Sequence, residues 1–222
     1  LDNRAELVRN LVGGQELYRC PDGEILYESY CRAPEKTLAM ARGAYVCAYL
    51  EPGKKMLTLF NDVAGNRSVY YRQEGKRVYF STLLSGITCQ REHWKENTAW
   101  FDRFYSIRDL RAVSEPRETP YAGILRLAPG EIAVFSEEGV HRRDYWDPFK
   151  GRKLLRRRTE AEYRELVTTV FQSCVEDVIR EGKETGILLS GGLDSNAVAA
   201  YAAPYLARRG KKLYSFTSVP EE

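Results

Sequence analysis

The hydrophobic pattern changes period twice along the chain. Between residues 22 and 42 it is helical, with Ile25, Leu26 and Tyr30 opening the pattern and Leu38 and Met40 near its end. Pro34 falls inside this stretch, and its ring removes an amide donor, so a break or offset is expected there. From Gly43 the period shortens. Residues 44–50, 56–60, 69–72 and 77–81 read as strands, with Glu51-Pro52-Gly53-Lys54 and Gln73-Glu74-Gly75-Lys76 as turns. Strands at this spacing predict an antiparallel sheet. Residues 95–110 read as a helix with Trp100, Phe101, Phe104 and Tyr105 on one side, expected in a core. Strands at 123–127 and 132–135 flank the turn Ala128-Pro129-Gly130-Glu131, and this half ends near Tyr145-Trp146-Asp147-Pro148.

The second half is ordered differently. Thr159-x-x-Glu162 is a capping box: the hydroxyl accepts from a free helix amide and the carboxylate reaches back. Tyr163, Leu166, Val167, Val170, Phe171, Cys174, Val175, Val178 and Ile179 follow at helical spacing, and Gly182 ends the pattern. Residues 186–189 form a short apolar strand suited to a sheet buried on both faces. Residues 196–208 are helical apart from Pro204, and 212–219 form the next strand. Strand, loop, helix, strand predicts a parallel α/β unit.

Composition narrows the class. A chain of 222 residues holds one large domain or two smaller ones, and 43% hydrophobic with 29% charged residues is ordinary for a soluble globular protein. There is no long apolar run and no signal-peptide pattern, so a cytoplasmic chain without a membrane partner is expected. Lys and Arg number 34 against 31 acids, and a net charge of +3 is too weak to imply nucleic acid. Residues 148–158 are locally basic, with Lys150, Arg152, Lys153, Arg156, Arg157 and Arg158, but carry no interleaved aromatics and read as a solvated linker. The five cysteines, Cys20, Cys31, Cys47, Cys89 and Cys174, are scattered and suggest neither a disulfide framework nor a zinc site. His93 and His141 read as surface residues. The chain opens at Leu1 without an initiator Met and stops at Pro220-Glu221-Glu222, so both ends are expected to be cuts through a longer protein.

The chemistry concentrates in Ser190-Gly191-Gly192-Leu193-Asp194-Ser195, between the short strand and the next helix. The first amides of a helix lack intrahelical acceptors and carry partial positive charge. Glycines let backbone amides approach an oxyanion closely, and the hydroxyls of Ser190 and Ser195 add donors. Such a loop can cradle a phosphate or pyrophosphate. Asp194 would repel that ligand unless a magnesium ion, shared with phosphate oxygens, offsets its charge. The loop is neither Gly-x-x-x-x-Gly-Lys-[Ser/Thr] nor Gly-x-Gly-x-x-Gly. The bland alternative is an ordinary glycine-rich turn. The hexapeptide resembles the PP-loop of the ATP pyrophosphatases, which cleave between the α and β phosphates.

The resemblance extends upstream. The run 188–195 is similar to the loop of glutamine-dependent asparagine synthetases. Leu59-Phe60-Asn61-Asp62-Val63-Ala64-Gly65-Asn66-Arg67-Ser68-Val69-Tyr70-Tyr71 resembles their Arg-Asp-x-x-Gly-x-x-Pro-Leu-Tyr-Tyr segment. The run 78–82 fits the strand that follows it, 122–131 resembles their Gly-Ile-x-x-Leu-x-Pro-Gly turn, and Tyr145-Trp146-Asp147 resembles the close of their first domain. The resemblance implies an α+β half, an Ntn-type αββα glutaminase-like sandwich over 1–147 lacking its N-terminal strand. A linker over 148–158 and the start of a parallel-sheet α/β PP-loop domain over 159–222 would follow. It implies ATP and Mg2+ as cofactors, and glutamine or ammonia with a carboxylate such as aspartate as substrates. The carboxylate would become an acyl-adenylate with pyrophosphate release, then an amide. Ser190, Gly191, Gly192, Asp194 and Ser195 would hold pyrophosphate and its magnesium, and the backbone of Leu188 and Ser218 would hold adenosine. A homodimer is compatible with the family.

The first half departs from the pattern. The family nucleophile is an N-terminal Cys, whereas position 1 is Leu and every cysteine is internal, so no catalytic residue is assigned. Asp62 matches an acid read as the ligand of the glutamine ammonium, but Asn61 stands for its Arg neighbour and Ser68 for the Pro. A ligand role and a structural role for Asp62 both stay open. Either a preceding segment carries the Cys, or the parent resembles the β-lactam synthetase and lasso-peptide cyclase relatives that use an internal amine. A non-catalytic nucleotide-binding homologue is the remaining alternative. The 222 residues alone are expected to be inactive.

Overall fold

The computed structural model describes residues 1–12, 19–89, 93–106, 115–150, 156, 159–179 and 183–219. The chain divides into two compact units, one essentially 1–152 and the other 153–222.

The first unit opens with a short helix α1 (Arg4–Leu7), continued by a π-turn at Val8–Val12. Helices α2 (Asp22–Arg32) and α3 (Pro34–Met40) follow, separated where Pro34 was expected to interrupt the pattern. Ala33, before the proline, leaves the helical region at φ −150° and ψ 74°, as crowding by the proline ring requires. Strands β1 (Val46–Glu51), β2 (Met56–Asn61), β3 (Tyr70–Glu74), β4 (Arg77–Ser81), β5 (Leu125–Arg126), β6 (Glu131–Ser136) and β7 (Gly139–Asp144) make two antiparallel sheets. One sheet has the order β1-β2-β6-β7 and the other β4-β3-β5. Strand β7 was not anticipated. Its residues His141, Arg142, Arg143 and Asp144 are exposed on a sheet edge, so no apolar alternation marks it.

Alternation along β2 and β6 sends side chains into two cores. Phe60 and Ile132 join Ile25, Leu26, Tyr30 and Leu38 beneath the helices, and Tyr30 stacks on Phe60 at 4.8 Å. Leu59, Ala133 and Phe135 pack with Tyr71 of the second sheet and with Val69 and Leu127 beside its strands. Helices, first sheet and second sheet therefore form successive layers. The short helix α4 (Ser85–Thr88) packs on β3 and β4.

Helix α5 (Thr98–Tyr105) corrects an expectation. None of its residues is buried; Phe104 is 54% and Tyr105 70% exposed. Its rings pack on each other instead, with Trp100 stacked on Phe104 at 4.8 Å. Residues 107–110 of the expected helix lie outside the described residues, as do Gly182 and most of the basic linker.

The second unit contains α6 (Glu160–Val178), β8 (Thr185–Leu188), α7 (Leu193–Ala207) and β9 (Leu213–Phe216). The Thr159–Glu162 capping box forms with both reciprocal bonds. Strands β8 and β9 pair in parallel, with α7 between them in sequence. Burial on both strand faces is not observed. Leu188 is 82% and Phe216 60% exposed, and Val175 is the one buried residue of α6. Helix α7 packs on both strands and on α6.

Burial raises the hydroxyl pKa of Tyr45, Tyr71 and Tyr145 above the ordinary value of 10.0. The folded protein thus retains protons that the unfolded chain releases. Stability from these groups is full below pH 10 and is lost as the pH rises beyond it. Denaturant midpoints followed by circular dichroism are expected to fall above about pH 10, and less steeply in Tyr45→Phe. A flat midpoint through that range contradicts this reading.

Candidate nucleotide-binding site

Strands β8 and β9 position the loop. Leu188 pairs with Phe216, the Leu189 amide donates to the Phe216 carbonyl at 2.8 Å, and the Thr217 hydroxyl donates to the Leu189 carbonyl at 3.0 Å. The chain leaves β8 through Ser190 and Gly191 and enters α7 after Gly192, which is extended at φ −82° and ψ 158°.

The loop satisfies much of itself. The Ser190 amide donates to Ser195 Oγ at 3.2 Å, the two serine hydroxyls lie 2.9 Å apart, and the Gly192 amide donates to Ser190 Oγ at 3.2 Å. Asn196 Nδ2 donates to the Gly192 carbonyl at 2.8 Å and reaches the Ser190 carbonyl at 3.4 Å. What is not supplied is a cap: Gly192 gives no side-chain acceptor to the first turn of α7. Those amides keep the positive end of a fifteen-residue helix without an anion from the cap position.

A Cβ on Gly191 would meet nothing within 4 Å, so packing within the chain does not require glycine there. The open space beside it suits an anion approaching the backbone. Asp194 is exposed in the first turn. Among the described residues no group of three or more His, Cys, Asp and Glu gathers to hold a metal. Magnesium at Asp194 would need most of its oxygen ligands from phosphates and water. Ser218 is exposed, one residue beyond the Thr217 bond to Leu189. The structure thus brings Leu188, Ser190, Gly191, Gly192, Asp194 and Ser195 to one strand–helix junction. Asn196 and Thr217 are contributors that the pattern did not single out, since nothing in their spacing marks a side chain that bonds back to a loop.

Asp62 belongs to the other unit and is 1% exposed. Its carboxylate accepts from the amides of Tyr45, Ala64, Asn66 and Arg67 and from Asn66 Nδ2, at 3.0 to 3.3 Å. Its carbonyl accepts from Gly65 and Gly130. Gly65 has φ +65°, and a Cβ there would lie 2.8 Å from Pro129 Cγ, so glycine is required. The carboxylate therefore fastens the turn after β2 to the residue before β1, and the Asp62 carbonyl ties it to the turn before β6. Asp22, another acid of this unit, pairs with Arg4 at 3.0 Å.

Comparison with known proteins supplies the family. A glutamine amidotransferase domain model matches residues 2–146, and an asparagine synthase model matches 166–221. The chain belongs to the glutamine-dependent asparagine synthetase family. It is 26% identical to asparagine synthetase [glutamine-hydrolyzing] 3 of Bacillus subtilis over 222 residues, covering 95% of this chain and 34% of that protein. It is 27% identical to amidase chyE of Penicillium rubens over 195 residues, covering 86% of this chain and 28% of the relative. This asparagine synthetase-family chain therefore spans about a third of the length of the curated relatives it matches. Among solved structures, the B. subtilis glutamine phosphoribosylpyrophosphate amidotransferase complexed with ADP and GMP matches with a TM-score of 0.38 and 14% identity, covering 97% of this chain and 43% of that one. No described helix is long and apolar enough to cross a membrane.

Replacing Asp62 by Ala would strand four amide donors at once, that of Tyr45 in a buried position. A loss of about 3 kcal/mol in unfolding free energy is expected, by denaturant titration. A loss below about 1 kcal/mol would show that the carboxylate does not organise these turns.

Proposed function

We propose that the intact protein forms an amide bond by activating a carboxylate with ATP, through an acyl-adenylate and with release of pyrophosphate. The observation that carries this reading is the loop at Ser190–Ser195: a glycine-rich strand–helix junction whose leading amides have no cap acceptor. Those amides suit the pyrophosphate end of ATP, and Asp194 suits the magnesium shared with it. The backbone of Leu188 and Ser218, at the ends of the paired strands, is assigned to adenosine. Bound magnesium would neutralise phosphate charge as it builds on the leaving pyrophosphate. The activation has a chemical reason: a carboxylate oxygen leaves poorly, whereas AMP leaves well when an amine attacks the acyl carbon.

Glutamine is the proposed nitrogen source, and aspartate the proposed carboxylate, from the similarity to the B. subtilis asparagine synthetase. We read 1–147 as the glutaminase-like domain, 148–158 as linker and 159–222 as the start of the synthetase domain. The boundary between the two compact units, at 152/153, supports that reading. Within the first domain we assign Asp62 to structure, because its oxygens are already engaged by backbone and side-chain donors. These 222 residues alone are expected to be inactive, since Leu188 and Leu193 beside the loop are 82% and 88% exposed.

The intact protein, given ATP, magnesium and a carboxylate substrate, is expected to release AMP and pyrophosphate. ADP and phosphate would overturn the proposal. Asp194→Ala is expected to lower turnover by about 100-fold or more if magnesium placement is its role. Unchanged turnover refutes that assignment.

A further inference from the structure

The loop's own hydrogen bonds raise a question of electrostatics. Every peptide group that offers an amide to a phosphate also carries a carbonyl, and a carbonyl aimed at the same anion would repel it. In the β8–α7 junction the carbonyls of Ser190 and Gly192 lie within the loop, and that of Gly192, the cap residue, already accepts the first bond of the helix. Both are gathered by one side chain: Asn196 Nδ2 lies 2.8 Å from Gly192 O and 3.4 Å from Ser190 O. Ser195 Oγ approaches the same two carbonyls, at 3.2 Å from Ser190 O and 3.4 Å from Gly192 O. That hydroxyl is also an acceptor for the Ser190 amide and a neighbour of Ser190 Oγ at 2.9 Å. Asn196 has the simpler task. It sits in the first turns of α7, and its amide donates inward while its backbone continues the helix.

We propose that Asn196 is a positioning residue for the pyrophosphate end of the nucleotide: it holds the Ser190 carbonyl, and with the helix that of Gly192, away from the anion, so that amides and hydroxyls face it. This inference rests on the nucleotide reading above. Ser195 is correspondingly a brace within the loop as well as a donor, because its hydroxyl is engaged on several sides. Asn196 acts through the backbone and not by touching the ligand, so its effect belongs to the pyrophosphate end and not to the AMP portion.

The test measures binding of inorganic pyrophosphate, ATP and AMP, each with magnesium, to the intact protein by calorimetry. Asn196→Leu keeps the shape of the side chain and removes the donors. Asn196→Ser restores one donor, because a helical serine hydroxyl can bond the carbonyl four residues back, here that of Gly192. Asn196→Leu is expected to weaken pyrophosphate and ATP about tenfold and leave AMP unchanged, with Asn196→Ser recovering most of the loss. Unchanged pyrophosphate binding in Asn196→Leu overturns the inference alone. So does an equal loss for all three ligands, which marks a general structural role. A wild-type protein that takes neither pyrophosphate nor ATP overturns the nucleotide reading, and this inference with it.

Discussion

Backbone amides that point at no acceptor must be satisfied by something, and this chain meets that demand in two opposite ways. At the turn after β2 it supplies its own anion. The buried carboxylate of Asp62 collects the amides of Tyr45, Ala64, Asn66 and Arg67, and its carbonyl collects those of Gly65 and Gly130. At the start of α7 it supplies none. Gly192 offers no side chain, and the helix begins with its donors uncapped. The first arrangement is closed and structural. The second is open, and it gives the second unit its proposed chemistry.

The contrast supports the proposal that Asp62, an acid inside a family-like motif, serves structure. A carboxylate already surrounded by donors has little to offer an incoming ammonium unless the turn is dismantled. Asp194 is the reverse case. It is exposed in the first turn of α7, close to where phosphate charge would lie, and no described cluster of ligands competes for a cation there. Exposure and burial, more than residue type, separate the two acids.

Much of this organisation was legible in the sequence because it is written in local rules. Pro34 divided two helices, Thr159 and Glu162 closed a capping box, and alternation marked β1, β2, β3, β4 and β6. The strand–loop–helix order around Ser190–Ser195 was equally local. The failures share a cause. Apolar spacing reports which face a segment could bury, not whether a partner lies there. The rings of α5 and the faces of β8 therefore read as buried, yet stand exposed. Strand β7 failed in the opposite sense: an edge strand tolerates His141, Arg142 and Arg143, and so carries no apolar signature. Asn196 was invisible because a side chain that bonds back to a loop leaves no periodic trace.

The central claim is that the loop serves cleavage of ATP between its α and β phosphates, with the carboxylate captured by the nucleotide. The most direct measurement follows an oxygen atom. With a carboxylate substrate labelled with oxygen-18, the intact protein should form amide and leave one labelled oxygen in AMP, read by mass spectrometry. Label in inorganic phosphate, or amide formation with unlabelled AMP, would contradict the account.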